Sequence, residues 1–571
     1  MTLSLEELLA ARLRPAFDAV AGGPADPAVR RSQHADFQAD GALALARALG
    51  RPPREVAAQI AARADLAGLA DSVDVQGPGF LNIAIHTPAL TSLLSELYAD
   101  SRLGCPQVTD PQSVIVDYSG PNVAKEMHVG NMRSTVIGDA LVRLLTWQGH
   151  QVRRVNHLGD WGTPFGMLIE HLLDVGEQEA AHELSVGDLT GFYQSARRKF
   201  EDDPDFKRRA QLRVVALQTG DEATRRLWRL LVEESEKYFL SVYSKLDVTL
   251  TAADFLGESE YNDELADVVA ELDGKGLLQE SHGALCAFPP GFAGRDGAPM
   301  PVIVRKVDGG FNYSATDLAA LRRRCREYDR AVYVVGTPQR QHFAMIFAVG
   351  AEAGWLRAAD QAVHVGFGSI LGTDGRMLKT RAGDSVKLGA LLDEAIARAA
   401  ALVAEKNPSL EPAAAADVAH AIGIGAVKYA DLSSDRVKDY VFDWDRALST
   451  TGDSGTYLQY AYARIQSILR KAGGVPSAAL PRIGEPAERE LALRLLGFPA
   501  AVEAAAAALQ PHRLTGYLHG LASAYTAFYE TCPVLRAPDE VRAGRLALAD
   551  LTARVLWRGL DLLGIRAPSR L

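Results

Sequence analysis

Cysteine is scarce in this chain: there are four among 571 residues, Cys105, Cys286, Cys325 and Cys532, far apart and with no CxxC pair. That spacing excludes a disulfide framework and a zinc knuckle, and four reduced, buried thiols are expected. Long apolar runs are missing too. No stretch approaches the roughly 18 residues that span a bilayer. Glu6 and Glu7 stand where a signal peptide would carry its basic flank and apolar core, so a cytoplasmic protein with no membrane partner is expected. Nor is there an excess of positive charge. The formal net charge of −10 counts mildly against a polyanionic partner. Local clusters work the other way: Arg197-Arg198-Lys199, Lys207-Arg208-Arg209, Arg322-Arg323-Arg324 with Arg326, and the series Arg536, Arg542, Arg545, Arg554, Arg558 and Arg566. Each fits a phosphate contact or a solvated helix face equally well.

What is present is an ordinary globular composition, 48% hydrophobic and 23% charged, in a chain too long for a single core. Its length suggests roughly three or four domains. Residues 1–105 mix helical segments with a short strand at 80–85, and Pro106 with Thr109-Asp110-Pro111 punctuates a linker. Strand and helix then alternate, with short β-branched strands at 113–118, 151–156, 331–335 and 362–369. The pattern predicts a doubly wound, Rossmann-like parallel sheet in residues 106–385, interrupted by a largely helical insertion at about 165–307. From about residue 388 the chain is Ala/Leu-rich with no strand-like alternation, so 386–571 reads as a helical bundle.

The most informative stretch is Val116-Asp117-Tyr118-Ser119-Gly120-Pro121-Asn122-Val123-Ala124-Lys125-Glu126-Met127-His128-Val129-Gly130-Asn131. An apolar strand ends there and a helix begins, since Met132, Val136, Ile137, Ala140, Leu141, Leu144 and Leu145 recur at helical spacing and Gly149 is placed to cap the end. A helix start offers unpaired N–H groups and the positive end of a dipole, where a triphosphate is favoured. Gly130 admits a close backbone approach, His128 can donate to a pentavalent phosphate, and Lys125 can reach the same charge. Taken alone, the segment also fits a surface corner with an incidental histidine.

His128-Val129-Gly130-Asn131 resembles the "HIGH" motif of class I aminoacyl-tRNA synthetases. The run 120–125, Met132-Arg133-Ser134-Thr135-Val136-Ile137-Gly138-Asp139 and Asn156-His157-Leu158-Gly159-Asp160-Trp161-Gly162-Thr163 resemble arginyl-tRNA synthetases in particular. Gly77-Pro78-Gly79-Phe80-Leu81-Asn82-Ile83 looks like the close of that family's N-terminal domain. The run from Ser454-Gly455-Thr456 through Ala463-Arg464 looks like the first helix of its anticodon-binding domain.

The resemblance implies an enzyme that uses ATP and Mg2+ to attach L-arginine to tRNA(Arg) through an arginyl-adenylate, activating arginine only with tRNA bound. It implies an α+β N-terminal domain that contacts the tRNA elbow (1–105) and an anticodon-binding domain at about 450–571, and a monomer is expected. It assigns Asp117, Ser119, Asn122, Asn131, Tyr313, Asp317 and Gln339 to arginine, and His128, Gly130, Asn131, Lys125 and Thr380 to ATP. The reacting phosphate is assigned Lys125, His128, Asn131, Lys379 and Arg381. Two carboxylates suit a guanidinium, which needs planar acceptors. The sequence departs from the family pattern at three places. Asp117 replaces a glutamate, Asn131 replaces the motif's last histidine and cannot become cationic, and the lysine-rich loop survives only as Gly375-Arg376-Met377-Leu378-Lys379-Thr380-Arg381. By resemblance to relatives with the same weak loop, Lys125 supplies the missing cation. Tyr457, Tyr460 and Tyr462 beside Arg464 can stack anticodon bases or pack as core. The rival readings are a class I synthetase for another amino acid, and a relative that binds RNA without charging it.

Overall fold

A computed structural model describes residues 4–176, 189–307, 309–378 and 386–571. The chain divides into two compact units: Met1–Gln107 with Tyr457–Asp561 and Arg566–Leu571, and Val108–Thr456 with Leu562–Ile565.

The first unit opens with α1 (Leu5–Ala21), whose start is fixed reciprocally: Glu7 N–H donates to Ser4 Oγ and Ser4 N–H to the Glu7 carboxylate. Strands β1 (Val29–Arg31), β2 (Phe37–Ala39), β3 (Ala70–Gln76) and β4 (Phe80–Ile85) form an antiparallel sheet in the order β1-β2-β4-β3, with α2 (Gly41–Leu49) and α3 (Pro53–Ala61) between β2 and β3. Only the last of these strands was expected. β1 and β2 are three residues long, and β3 is mostly solvent-facing and rich in Asp and Ser, so neither length nor alternation reveals them. Helix α4 (Thr87–Ala99) follows.

The second unit is built on β5 (Ser113–Asp117), α5 (Val129–Gln148) and β6 (Gln151–Leu158), then α6 (Thr163–Val175), α7 (Leu189–Asp202), α8 (Pro204–Thr219) and α9 (Glu222–Lys245). β7 (Phe255–Gly257) and α10 (Leu265–Gly274) lead to an antiparallel sheet of β8 (Leu278–Ser281), β9 (Ala284–Ala287) and β10 (Val302–Arg305). α11 (Tyr313–Glu327), β11 (Arg330–Tyr333), α12 (Arg340–Glu352) and β12 (Ala362–His364) complete the main sheet, which is wholly parallel in the order β12-β11-β5-β6-β7. Strand order reverses between β5 and β11, so the crevice beyond their carboxyl ends is where a ligand fits.

The stretch expected as a largely helical insertion therefore also carries a strand of the main sheet and a small sheet of its own. Residues 362–369 were expected as one strand, but pairing ends at His364, and Ile370–Leu371 (β13) instead pairs with Tyr440–Val441 (β14). Gly368 lies where a Cβ would stand 2.7 Å from the Lys438 carbonyl, so the chain crosses another backbone there rather than continuing as strand. Helices α13 (Leu388–Lys406), α14 (Pro412–Leu432) and α15 (Trp444–Ala447) surround this piece. A buried ion pair, Arg133 Nε to Asp431 Oδ2 at 3.1 Å, fixes α5 against α14. Residues 562–565 return to this unit, where the buried Lys428 ammonium donates to the carbonyls of Gly564 (2.6 Å) and Asp247 (3.0 Å).

The remaining helices belong to the first unit: α16 (Gly455–Ala472), α17 (Pro486–Leu496), α18 (Phe498–Ala507), α19 (His512–Thr531) and α20 (Asp539–Leu562). Within that unit Arg489 of α17 donates to Asp36 and to Thr87 Oγ1 (3.0 Å).

Candidate active site

The corner between β5 and α5 sits at the reversal of strand order and is backbone-strained. Ser119 and Ala124 have φ of 76° and 58°, a region that costs a non-glycine residue about 1–3 kcal/mol and persists only where the surroundings enforce it. The enforcement is visible: Ser119 N–H donates to Ser134 Oγ (2.8 Å), Ala124 N–H to Ser235 Oγ (2.9 Å) and Met127 N–H to the Tyr238 hydroxyl (3.2 Å). Ser119 itself is buried, and its hydroxyl is bonded to Thr135 (2.9 Å) and Tyr243 (2.7 Å). It is part of the packed wall of the corner.

His128 caps α5. Gly130 N–H donates to His128 Nδ1 (3.0 Å), and His128 N–H donates to Asn131 Oδ1 (3.1 Å). Because Nδ1 accepts, the neutral ring carries its proton on Nε2, which is left as the ring's donor. Desolvation and then the charge of Lys125 lower the pKa of His128, so it acts as a neutral donor. Gly130 has a different reason from the one expected: a Cβ there would stand 2.8 Å from the His128 ring, so the glycine makes room for the imidazole. Asn131 contributes its carbonyl oxygen to the cap. Residues 386–388 lie alongside, with Val129 N–H donating to the Val386 carbonyl (3.1 Å), Leu388 N–H to that of Met127 (2.8 Å), and Lys387 Nζ 2.7 Å from Glu126. Lys125 and His128 open onto a cavity of about 570 Å³ that Tyr193, Gln194, Arg197 and Lys387 also line. Lys379, Thr380 and Arg381 lie outside the described residues.

At the carboxyl end of β5 the expected guanidinium ligand is already occupied. Asp117 is buried, with Arg324 Nη1 donating to its Oδ2 at 2.7 Å and His157 Nδ1 3.7 Å away. Burial alone would raise its pKa, but Arg324 and His157 outweigh that and hold it at about 2. Asp117 thus grips an internal arginine instead of standing open to a ligand. Arg324, from the cluster weighed as a phosphate contact, is 2% exposed, and its neighbours Arg323 and Arg322 pair with Glu264 and Glu271. Arg209 and Lys199 likewise pair with Asp174.

The open acceptors lie on α11 and beside it. Asp317 Oδ2 is 2.6 Å from His342 Nε2, and the Tyr313 ring, 61% exposed, is 5.1 Å from the same imidazole. Gln339 directly precedes α12, which carries His342. Asn122 is exposed in the turn, and its carbonyl oxygen lies over Gly159, where a Cβ would be 2.5 Å away. Glu258, not singled out by the sequence, has its pKa raised to about 7 by burial, with His157 lowering it and Asp317 and Asp160 raising it. Motif order offered no pointer to Glu258. His157 lay within a quoted run but carried no assigned role, and His342 was not singled out.

Comparison with known proteins agrees with this geometry. Residues 93–444 match the catalytic domain of class I (R) tRNA synthetases, 458–571 the DALR anticodon binding domain, and 4–85 the arginyl tRNA synthetase N-terminal domain. The arginine–tRNA ligase of Thermobifida fusca is 52% identical over 574 aligned residues, covering 99% of each chain. That of Frankia casuarinae is 50% identical, covering 96% of this chain and 95% of its own. The chain belongs to the arginyl-tRNA synthetase family. Among solved structures, the arginyl-tRNA synthetase of Plasmodium falciparum superposes over 100% of both chains with a TM-score of 0.86 at 26% identity. The Thermus thermophilus enzyme covers 99% of this chain and 100% of its own, with a TM-score of 0.83 at 27% identity. Membership of the arginyl-tRNA synthetase family favours neither rival reading.

In the DALR region the three expected tRNA contacts part company. Tyr457 is half-buried, its hydroxyl 3.2 Å from Thr526. Tyr460 and Tyr529, 37% and 40% exposed, flank the Arg464 guanidinium at 4.9 and 5.8 Å, a flat stacking surface of the kind that bases occupy. Tyr529 was not anticipated. Tyr462 is half-buried.

Proposed function

We propose that this arginyl-tRNA synthetase forms arginyl-adenylate at the β5–α5 corner and transfers arginine to the terminal ribose of tRNA(Arg). The carboxylate of arginine attacks the α-phosphorus of ATP in line, the bond to the β-phosphate oxygen breaks, and pyrophosphate leaves. A tRNA 2′-hydroxyl then attacks the acyl carbon, AMP departs, and the hydroxyl proton passes to solvent. His128 Nε2–H and the Lys125 ammonium stabilise the charge that builds on the phosphate, as preorganised donors do without reorganising. Lys379, Thr380 and Arg381 are assigned to the same step. Among the described residues no cluster of three His, Cys, Asp or Glu side chains could hold a metal ion. Magnesium is assigned to the bound ATP, whose phosphate charge it would neutralise.

Arginine is assigned to Asp317, Glu258, Tyr313, Gln339 and Asn122, with Asp117 holding Arg324 and Ser119 holding the corner. The observation that carries the reading is the reciprocal cap of His128 and Asn131 at the reversal of strand order, with Lys125 beside it. Tyr460, Arg464 and Tyr529 are proposed to stack anticodon bases, and the N-terminal sheet to meet the tRNA elbow. The reading extends to a cytoplasmic monomer; among the described residues no helix is long and apolar enough to cross a membrane.

ATP–pyrophosphate exchange with a panel of amino acids, with and without tRNA(Arg), tests the proposal. Exchange with arginine alone, and only when tRNA is present, is expected. Exchange without tRNA would remove the coupling, and none under any condition would remove the adenylation site.

A further inference from the structure

The wall of the cavity facing His128 comes from α7, and that helix divides cleanly. Leu189, Phe192 and Ala196 are buried, with the Phe192 ring 4.8 Å from that of His171 on α6. Thr190, Tyr193, Gln194 and Arg197, at i, i+3, i+4 and i+7, form the other face and line the cavity together with Lys125 and His128. Between them one contact bridges the two walls: Lys125 Nζ lies 4.3 Å from the centroid of the Tyr193 ring.

A lysine ammonium is a flexible point charge on a four-carbon stem, and its value to a reaction depends on where it is held. The backbone that carries Lys125 is pinned on one side by Ser235 and Tyr238 of α9, which fixes its Cα but leaves the stem free. The Tyr193 ring supplies the restraint at the far end, because the face of an aromatic ring attracts a cation without neutralising its charge as a carboxylate would.

We propose that Tyr193 is a positioning residue for adenylation, holding the Lys125 ammonium over the phosphate site so that α7 forms that site's second wall. This rests on the reading of Lys125 as the cation that replaces the weak lysine-rich loop.

The test is a double-mutant cycle on the full chain, following ATP–pyrophosphate exchange with arginine and tRNA present, with melting temperature recorded for every variant. Tyr193→Leu is expected to lower kcat for exchange about 10-fold, the order of a desolvated cation–π contact, with the KM for arginine unmoved. Tyr193→Phe, which keeps the ring, recovers most of that loss. In a Lys125→Ala background Tyr193→Leu adds less than about 2-fold. Additive losses, an arginine KM that rises in step, or a faster Tyr193→Leu enzyme would each overturn the proposal. Lys125→Ala with unimpaired exchange would instead overturn the underlying assignment of Lys125, whatever Tyr193 does.

Discussion

Asp317 Oδ2 and His342 Nε2 lie 2.6 Å apart across 25 residues of sequence, with the Tyr313 ring against the same imidazole. The contact fixes a carboxylate at the mouth of the crevice before any ligand arrives, and a guanidinium gains most from acceptors already in place. Asp317→Asn is expected to raise the KM for arginine on the order of 10²-fold while moving that for ATP less than about 3-fold, because an unpaired charge in such a site costs several kcal/mol. Equal changes in both constants, measured by exchange kinetics, would remove Asp317 from the arginine pocket.

Lys125→Ala is expected to slow adenylate formation about 10²- to 10³-fold, or about 3–4 kcal/mol, with tRNA affinity nearly intact. Stopped-flow measurement of the first turnover checks the rate, and filter binding checks the tRNA.

Glu258, proposed above to meet arginine, should couple binding to pH. Its folded-state pKa, raised by burial to about 7, lies above the ordinary carboxylate value of 4.5, so folding takes up a proton between those values and stability falls as pH rises through that window. Glu258→Gln should therefore raise stability at pH 8 by up to about 3 kcal/mol, read from thermal or urea melts, and gain nothing near pH 4. The same variant should bind arginine more weakly. In the unsubstituted enzyme arginine affinity should climb from pH 6 to pH 8, as the carboxyl gives up the proton that competes with the guanidinium.

Gly130→Ala tests the cap. The added methyl would meet the His128 ring at 2.8 Å, so the imidazole must swing off Nδ1's bond to the Gly130 N–H. Loss of the cap costs about 1 kcal/mol of stability, whereas a displaced donor should cost about 10- to 100-fold in kcat. Rates and melts taken together separate the two effects.

The strand, the helix and the motif between them were legible in the sequence because they are local, although Ser235, Tyr238 and Tyr243, which pin the corner, lie 111, 111 and 124 residues from their partners. A β-branched run, a helical period and Gly149, left-handed at φ 99°, are all written within 40 residues of each other. What was missed is non-local. Asp117 looked open because its partner Arg324 lies 207 residues away, and the carboxylates that Arg322 and Arg323 meet are likewise non-local, 51 and 59 residues from them. Strands β13 and β14 are two residues long and leave no period to read. Glu258 follows a three-residue strand with no pattern around it, and only burial sets it apart from other glutamates. Tyr529 meets the Arg464 guanidinium from α19 while Tyr460 meets it from α16, so its place in the stacking surface had no local sign.

The return of residues 562–565 to the catalytic unit has a consequence for synthesis on the ribosome. Every strand of the parallel sheet has been translated by residue 364, but the Gly564 carbonyl that accepts from Lys428 emerges 136 residues after that lysine. A polypeptide terminated before Leu562 lacks the Gly564 acceptor for that ammonium, whose pKa burial has already lowered to about 8. Because domains fold as their residues emerge, the unit that carries the parallel sheet gains this part of its packing only after the helices of 457–561 have been made.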